Sequence, residues 1–186
     1  PDILDNLIEL NNMIGMKKLK SQIIDQILFF IHGTQEVIML HTVLEGPPGT
    51  GKTTVAELLA KIYSKLGIFK KVKFNIVKRS DLIGKFLGHT AKMTQEVFDN
   101  AKGGILFIDE AYSLGNEEGR DSFAKECIDT INLNMSRIDR PWLLIVGGYK
   151  EDIEESFLAY NKGLERRFTV KLEIKGYDEK ELFEIL

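Results

Sequence analysis

The chain has 186 residues, 44% of them hydrophobic, which is enough to bury one sizeable core, so the length predicts a single domain. The formal net charge of -3 argues against binding to nucleic acid or membranes through overall charge, and a single cysteine excludes an intrachain disulfide. The sequence shows no apolar run of membrane-spanning length and no secretion signal, which predicts a soluble, cytoplasmic protein. Because the first residue is Pro1, we expect the sequence to be a segment of a longer chain.

The first predicted element is an amphipathic helix. Aliphatic residues recur every four positions from Leu19 to Ile31, which gives a helix with a broad apolar face, and Gly33 is expected to end it. The apolar residues within 10–15 are expected to form a short turn ahead of this helix. On the residues alone, we interpret this part as a helix that packs against the core.

A glycine-rich stretch, Gly46–Thr53, carries the clearest chemical motif. It reads Gly-Pro-Pro-Gly-Thr-Gly-Lys-Thr and fits the phosphate-loop pattern GxxxxGK[ST]. A short apolar strand over 42–44 precedes it, and a helical pattern that ends at Gly67 follows, so bound phosphates would lie at a helix amino terminus. Lys52 is expected to reach the β- and γ-phosphates, and Thr53 to offer its hydroxyl to Mg2+.

The phosphate loop therefore predicts a site for a nucleotide and Mg2+. Glycines in the loop adopt backbone angles that other residues avoid, which lets successive N–H groups turn toward the phosphates. The predicted nucleotide-binding residues of the loop and of the position after it are Gly46, Pro47, Pro48, Gly49, Thr50, Gly51, Lys52, Thr53 and Thr54.

The remaining strands are predicted from their hydrophobic patterns. Apolar and polar residues alternate over 72–76 and over 168–174, as in strands at the edge of a sheet. Residues 105–108 and 142–146 are unbroken apolar runs, as in strands covered on both faces. Because helical patterns lie between these strands, the sequence predicts a three-layer α/β sandwich with a five-stranded parallel sheet. Ligands of such sheets bind beyond the carboxyl ends of the strands.

Two neighbouring carboxylates, Asp109 and Glu110, follow the apolar strand at 105–108. Burying such groups without a cation or a hydrogen-bonding partner costs several kcal/mol, so a partner is implied. Beside a phosphate loop, Asp109 is expected to hold Mg2+, directly or through water. Glu110 is expected to orient and deprotonate the attacking water.

Four motifs, in order along the chain, resemble those of the AAA+ ATPases. They are the phosphate loop Gly46–Thr53, the run Gly84–Gly88 (Gly-Lys-Phe-Leu-Gly), the carboxylates Asp109 and Glu110, and the run Gly163–Phe168 (Gly-Leu-Glu-Arg-Arg-Phe). More narrowly, residues 81–90 and 107–112 are similar to the branch that contains CbbX and stage V sporulation protein K. The resemblance extends from about Leu10 to Leu186 and implies ATP hydrolysis with ATP and Mg2+ as ligands.

The resemblance implies roles for residues outside the phosphate loop. Ile14 and Gly15 match the family's amino-terminal linker, which packs near the adenine. Lys85, Phe86 and Leu87 match the loop that lines the central pore of the hexamer, where an aromatic residue grips substrate polypeptide.

Arg166 and Arg167 match the region of the arginine finger, with which one subunit reaches the γ-phosphate held by its neighbour. Arg167, next to Phe168, is the favoured finger, and Arg166 is the other candidate. The alternative for either arginine is a surface ion pair with an acidic residue such as Glu165. The predicted catalytic set is thus Lys52, Glu110 and these two arginines.

Two departures from the family pattern stand out. Where many AAA+ proteins carry a polar sensor after the fourth strand, this chain reads Gly147-Gly148-Tyr149-Lys150, and the Tyr149 hydroxyl is a candidate substitute. A helical lid is expected to follow the fifth strand, but the sequence ends at Leu186. We therefore expect an ATP-binding domain over 1–176 and only the start of the lid over 177–186.

Together these features predict an ATP-hydrolysing core that acts as a homo-oligomeric ring, with a hexamer expected, and remodels or threads a protein substrate. Two alternatives remain open at this stage. One is a scaffold that binds ATP and assembles without turnover. The other is a nucleic-acid motor or loader, for which the basic run over 70–79 is the only local support.

Overall fold

Five parallel strands form one sheet in the computed structural model, which describes residues 3–32, 40–69, 73–86, 88–115, 121–137 and 142–185. The strands are β1 (Thr42–Glu45), β2 (Phe74–Val77), β3 (Ile105–Ile108), β4 (Leu143–Gly148) and β5 (Val170–Glu173). Their order across the sheet is β2-β3-β4-β1-β5, so the two strands with alternating patterns lie at its edges. The predicted five-stranded parallel α/β fold is confirmed.

Helices pack on both faces of this sheet. They are α1 (Leu4–Asn12), α2 (Lys17–His32), α3 (Lys52–Lys65), α4 (Arg79–Leu82), α5 (His89–Ala101), α6 (Ser122–Met135), α7 (Lys150–Asp152), α8 (Lys162–Glu165) and α9 (Glu179–Ile185). A 3-10 turn spans Ala111–Leu114, and a π-helical segment, Ile153–Leu158, continues α7. Within the described ranges, no helix is both long and apolar enough to cross a membrane.

The strand bounds follow the sequence prediction where hydrophobicity alone decides them. β3 has its predicted bounds, whereas β4 continues to Gly148 because its last two glycines still pair with β1. β5 starts later than predicted, since the N–H of Phe168 donates to the Glu165 carbonyl at 3.2 Å and closes a helical turn there. Val72, predicted in the second strand, and Gly33, the predicted helix end, lie outside the described residues.

The amino-terminal segment contains a helix that the sequence pattern does not predict. Leu10 lies in α1 and packs in the core beside α3, whereas a short turn was expected over 10–15. The turn is confined to Met13–Met16. The Lys20 ammonium donates to the carbonyl of Asn11 at 2.9 Å and so satisfies a carbonyl at the end of α1. The short-turn prediction is therefore wrong for Leu10, because packing rather than periodicity extends the helix.

Two apolar clusters lie on opposite sides of the sheet. Leu44 and Phe107 point into the cluster that includes α1, α2 and α3. Val43 and Ile108 point into the cluster that includes α5, α6 and the π-helical segment. Because successive strand residues face opposite sides, both faces of the central strands are covered, and the carboxyl edge is left for a site.

His41, just before β1, is a buried polar residue that links two strands. It is 2% exposed, and its Nδ1 accepts a hydrogen bond from the N–H of Leu144 at 3.1 Å. The ring lies 4.7 Å from that of Trp142. Burial, with a smaller contribution from the positive charge of Arg167, lowers the pKa of His41 from 6.5 to about 4.

We expect His41 to make the folded state less stable as the pH is lowered, because the unfolded chain binds a proton at His41 more readily than the folded chain does. The free energy of unfolding should drop by about 2 kcal/mol more in the wild type than in His41→Asn when the pH is lowered from about 7.5 to about 5. Asn keeps an acceptor near Nδ1 but does not titrate. Urea unfolding followed by circular dichroism measures the difference.

His32→Asn, at an exposed histidine on α2, is the matched control and should retain the wild-type pH dependence. An identical slope in the wild type and His41→Asn would show that His41 does not govern acid stability.

Candidate nucleotide-binding site

A cleft of about 390 Å3 opens at the carboxyl edge of the three central strands. Val146 of β4 pairs with both Ile108 of β3 and Val43 of β1, so the segments that follow these strands meet at this edge. The residues that line the cleft are Pro48, Gly49, Gly51, Lys52, Thr53, Thr54, Asp109, Glu110, Tyr112, Gly148 and Tyr149. The structure thus brings the phosphate loop and both predicted carboxylates into one site.

The phosphate loop has the backbone geometry of an anion cradle. Gly49 and Gly51 have φ values of +74° and +87°, which residues with a Cβ rarely adopt, and α3 begins directly after Gly51. Gly46 leaves no room for a side chain, because a Cβ would lie 2.6 Å from the Ile174 carbonyl oxygen. The buried hydroxyl of Thr50 donates to the Pro47 carbonyl at 2.8 Å and braces the loop. This geometry fits a phosphate chain at a helix amino terminus.

Lys52 extends across the mouth of the loop. Its ammonium donates to the carbonyls of Gly46 and Pro47, at 2.8 Å each. Burial lowers the pKa of Lys52, and the charges of Asp109 and Glu110 oppose that shift. The Lys52 ammonium therefore lies between the loop and the two carboxylates, close enough to contact a phosphate bound in the loop.

Asp109 and Glu110 are placed by a strained turn at the end of β3. The N–H of Asp109 donates to the Val77 carbonyl at 3.0 Å, which extends the β2–β3 ladder, and its Oδ1 accepts the N–H of Glu110 at 3.1 Å. Glu110 has a φ of +54°, a conformation that costs a residue other than glycine about 1 kcal/mol or more. Such strain is common at functional sites, and here it turns the Glu110 side chain into the cleft.

The donor set of the cleft fits Mg2+. Thr53 and Asp109 supply the hydroxyl and carboxylate oxygens that this hard cation prefers. In the part of the chain that the structure describes, no three His, Cys, Asp or Glu side chains cluster as metal ligands. A metal held here would therefore take its other ligands from phosphate oxygens and water, as is usual for Mg2+.

Two tyrosines complete the wall of the cleft. Tyr112 follows the carboxylates by one turn; burial, the nearby Glu110 charge and a hydrogen bond to the Glu110 carboxylate raise its pKa. Tyr149, the candidate substitute for the polar sensor, directly follows β4 and also lines the cleft. Sequence reasoning singled out Tyr149 but missed Tyr112, although its position two residues after Glu110 was a usable signal.

The linker residues lie beside the phosphate loop. Gly15 has a φ of +67°, and a Cβ there would lie 2.5 Å from a carboxylate oxygen of Glu181 in α9. A Cβ on Gly51 would lie 3.8 Å from the Met16 side chain, and the Tyr177 hydroxyl donates to the Thr50 carbonyl at 3.2 Å. The segments before α2 and after β5 therefore meet beside the loop. Ile14, half-buried, belongs to the first of them.

The other predicted site residues do not line the cleft. Lys85 and Phe86 are exposed, with Phe86 at 66%, and Leu87 lies outside the described residues. Arg166 is exposed, and its backbone N–H donates to the Leu164 carbonyl. The guanidinium of Arg167 donates to the Gly163 carbonyl at 2.7 Å and to Ser136 Oγ at 2.8 Å.

A family profile described as "ATPase family associated with various cellular activities (AAA)" matches residues 42–173, from β1 to the end of β5. The chain belongs to the AAA family of ATPases. The matched range contains the phosphate loop, the carboxylate pair and both arginines, so the resemblance read from the motifs is confirmed at the level of the family.

Curated relatives of this AAA chain include the cfxQ-like protein R730 of Acanthamoeba polyphaga mimivirus, 44% identical over 185 residues, or 97% of this chain and 45% of the relative. Stage V sporulation protein K of Bacillus subtilis is 36% identical over 186 residues, which are 95% of this chain and 57% of the relative. ESX-3 secretion system protein EccA3 of Mycolicibacterium smegmatis is 37% identical, with 98% and 31% covered. The chain thus spans about half the length of the first two relatives and about a third of the length of the third.

Solved structures support the fold. The AAA domain of FIGL-1 in complex with ADP superposes with a TM-score of 0.65 at 21% identity, over 100% of this chain and 66% of that one. A second structure of the FIGL-1 AAA domain gives the same TM-score at 20% identity.

We expect Lys52→Ala in this AAA chain to weaken binding of fluorescent ADP by about 10- to 100-fold, because one charge-assisted contact to phosphate is lost. Lys61→Ala, at a half-exposed lysine of the same helix that pairs with Glu9 and Glu57, is the matched control and should bind as the wild type does. A fluorescence titration gives both constants. Equal weakening by the two substitutions would show that Lys52 has no specific contact with the nucleotide.

Proposed function

We propose that this chain is the Mg-ATP-hydrolysing core of a ring-forming AAA protein that remodels or threads a protein substrate. One observation carries the hydrolytic part: a single cleft joins the phosphate loop, Lys52, Thr53 and the carboxylates Asp109 and Glu110. Family membership gives the reaction class, and the cleft supplies a group for each task that the reaction needs.

Each group in the cleft has a proposed role in ATP hydrolysis. Backbone N–H groups of the loop and the Lys52 ammonium would hold the phosphates and balance their charge. Thr53 and Asp109 would hold Mg2+, whose charge adds to that balance. Glu110, turned into the cleft, would orient a water molecule and accept its proton, while the Tyr112 hydroxyl fixes the direction of the Glu110 carboxylate.

The adenine end of the nucleotide is proposed to lie beside the linker. Ile14 and Gly15 belong to the Met13–Met16 turn, whose last residue lies near Gly51. Tyr177 reaches the loop from the other chain end. We propose that α9, which follows Tyr177, begins a helical lid, so that the chain divides into 1–176 and 177–186.

A homo-oligomeric ring, proposed as a hexamer, would complete the site with an arginine from the neighbouring subunit. Arg166 is exposed and available as folded. Arg167, favoured by its position next to Phe168, would have to release its hydrogen bonds to Gly163 and Ser136. Either arginine suits this role, because the planar positive charge of a guanidinium stabilises the negative charge spread over the transferred phosphoryl group.

Contact with a protein substrate is proposed for Phe86. Its ring projects into solvent from the loop that joins α4 to α5, with Lys85 exposed beside it. An aromatic side chain held in solvent leaves apolar surface to be covered by a partner. Leu87 is proposed to share this role.

Glu110→Gln tests the hydrolytic proposal, because it keeps the shape of the side chain but removes its basicity. Turnover should fall by about 10^2- to 10^4-fold, while the dissociation constant for ATP stays close to that of the wild type. Glu151→Gln, at an exposed position of α7, is the control and should leave both values unchanged. A phosphate-release assay and a binding titration separate the two. Unchanged turnover in Glu110→Gln would exclude Glu110 as the base, and a wild type that binds ATP without turnover would favour the scaffold alternative.

Phe86→Ala tests the remodelling proposal. Unfolded casein should raise ATP turnover of the wild type and of Phe86→Tyr, whereas Phe86→Ala should keep only the basal rate, because the gripping ring is gone. Phe29→Ala, which removes another exposed ring, should respond as the wild type does. Stimulation by DNA but not by casein would contradict the proposal and favour a nucleic-acid motor.

A further inference from the structure

The helical turn α4 joins the strand β2 to the loop that carries Phe86, and side chains from other elements hold it at both ends. It begins at Arg79 and ends at Leu82, where the N–H of Ile83 closes the turn by donating to the Arg79 carbonyl at 2.9 Å. A single turn held at both ends moves as a unit.

At its first end, α4 is tied to the segment that carries the catalytic carboxylates. One nitrogen of the Arg79 guanidinium donates to the carbonyl of Ser113, in the 3-10 turn directly after Asp109 and Glu110. The N–H of Ser113 in turn donates to the Glu110 carbonyl at 2.9 Å. Two consecutive hydrogen bonds therefore connect Arg79 to Glu110, so a displacement of Glu110 and its turn would also displace Arg79.

The other side of the same guanidinium binds Asp121, whose Oδ2 lies 2.6 Å from the Arg79 nitrogen. Asp121 also caps α6, since its Oδ1 accepts the N–H groups of Phe123 and Ala124 at 3.0 and 3.1 Å. Burial acts to raise the pKa of Asp121, but the hydrogen bonds from Arg79, Ala124 and Phe123 outweigh it and hold the pKa below its usual range. Asp121 is thus a fixed, charged anchor for Arg79.

At its second end, α4 is tied to α5 by two buried threonine hydroxyls. Thr94 Oγ1 donates to the Leu82 carbonyl at 2.9 Å, and Thr90 Oγ1 accepts the N–H of Gly84 at 3.1 Å. Gly84 packs so closely that a Cβ there would lie 2.8 Å from the Cβ of His89. The base of the Phe86 loop is therefore fixed and cannot move independently of α4 and α5.

An ordinary surface ion pair does not account for the geometry of Arg79. A half-exposed ion pair contributes little to stability, and its partners could be exchanged with little effect. Arg79 instead divides a planar, rigid set of donors between a carbonyl next to the active site and a helix-capping carboxylate. A lysine carries the same charge, but its ammonium is a compact group at the end of a flexible chain, so it does not fix two partners as the rigid fork of a guanidinium does.

We propose that Arg79 is a positioning residue that couples the nucleotide cleft to the Phe86 loop, so that movement of the turn after Glu110 shifts α4 and, with it, Phe86. The inference rests on the proposed function, because it assumes that nucleotide binds at the cleft. Arg79 would transmit the effect of nucleotide binding from the cleft to the Phe86 loop.

Hydrogen exchange of residues 82–86 tests this coupling, because the Gly84 amide is bonded at the base of the loop. In the wild-type chain, saturating Mg2+ and ATPγS should change the exchange rate of this segment by at least about fivefold, the lower end of ordinary coupling between sites. Arg79→Lys should lose most of that change while binding ATPγS with the wild-type dissociation constant. Lys92→Gln, at an exposed lysine of α5, should behave as the wild type does.

Asp121→Asn keeps the experiment informative should Arg79→Lys fail to fold. Asparagine caps a helix about as well as aspartate, so α6 should stay intact while the charged anchor of Arg79 is lost. This variant should also lose most of the exchange response at unchanged nucleotide affinity.

The outcomes separate the two proposals. A wild type that does not bind ATPγS overturns the proposed function and this inference with it. A wild type that binds ATPγS without a response at 82–86, or an equal response in Arg79→Lys, overturns this inference alone.

Discussion

The site depends on the register of the three central parallel strands. β4 pairs on one side with β3 and on the other with β1, and this brings the segments that follow all three strands to the same edge of the sheet. Gly147 makes the arrangement possible, because a Cβ there would lie 2.8 Å from the Phe107 ring and 3.7 Å from an Asp109 oxygen. The position where a polar sensor residue is expected is thus occupied by a glycine that gives the Phe107 ring room. The first polar side chain after Gly147 is that of Tyr149, which directly follows the strand.

That register also explains the electrostatics of the cleft. It brings Lys52, at the start of α3, close enough to Asp109 and Glu110 for their charges to oppose the effect of burial on its pKa. Opposite charges held close in a partly buried cleft interact more strongly than they do at an open surface. The turn at Glu110 stores backbone strain to direct a carboxylate into this field, and Tyr112 holds that carboxylate by a hydrogen bond.

The sequence predicts the features that are encoded locally. The phosphate loop and the four apolar residues of β3 are recognisable from consecutive residues alone, and the structure places both as expected. The end of β4 is not predictable in this way, since glycines carry no hydrophobic signal and only pairing with β1 keeps them in the strand. α1 is missed because its helical state depends on packing against α3.

Contacts between residues far apart in the chain are also not predictable from the sequence. Tyr177 reaches Thr50 across 127 positions, and Arg79 reaches Asp121 across 42, so no local pattern announces either contact. These contacts are also the ones that join the cleft to its surroundings. Motifs thus predict which residues could perform the chemistry, whereas the fold shows which residues could connect that chemistry to movement.

A neighbouring subunit is proposed to complete the active site, and this is tested most directly by ATP turnover per subunit over a wide range of protein concentrations. Turnover per subunit should rise with concentration to a plateau, and alanine at one of the two candidates, Arg167 or Arg166, should lower that plateau by about 10^3- to 10^5-fold. The position with the larger loss is the finger. Turnover per subunit that is independent of concentration and survives both substitutions would show that no neighbouring subunit completes the site.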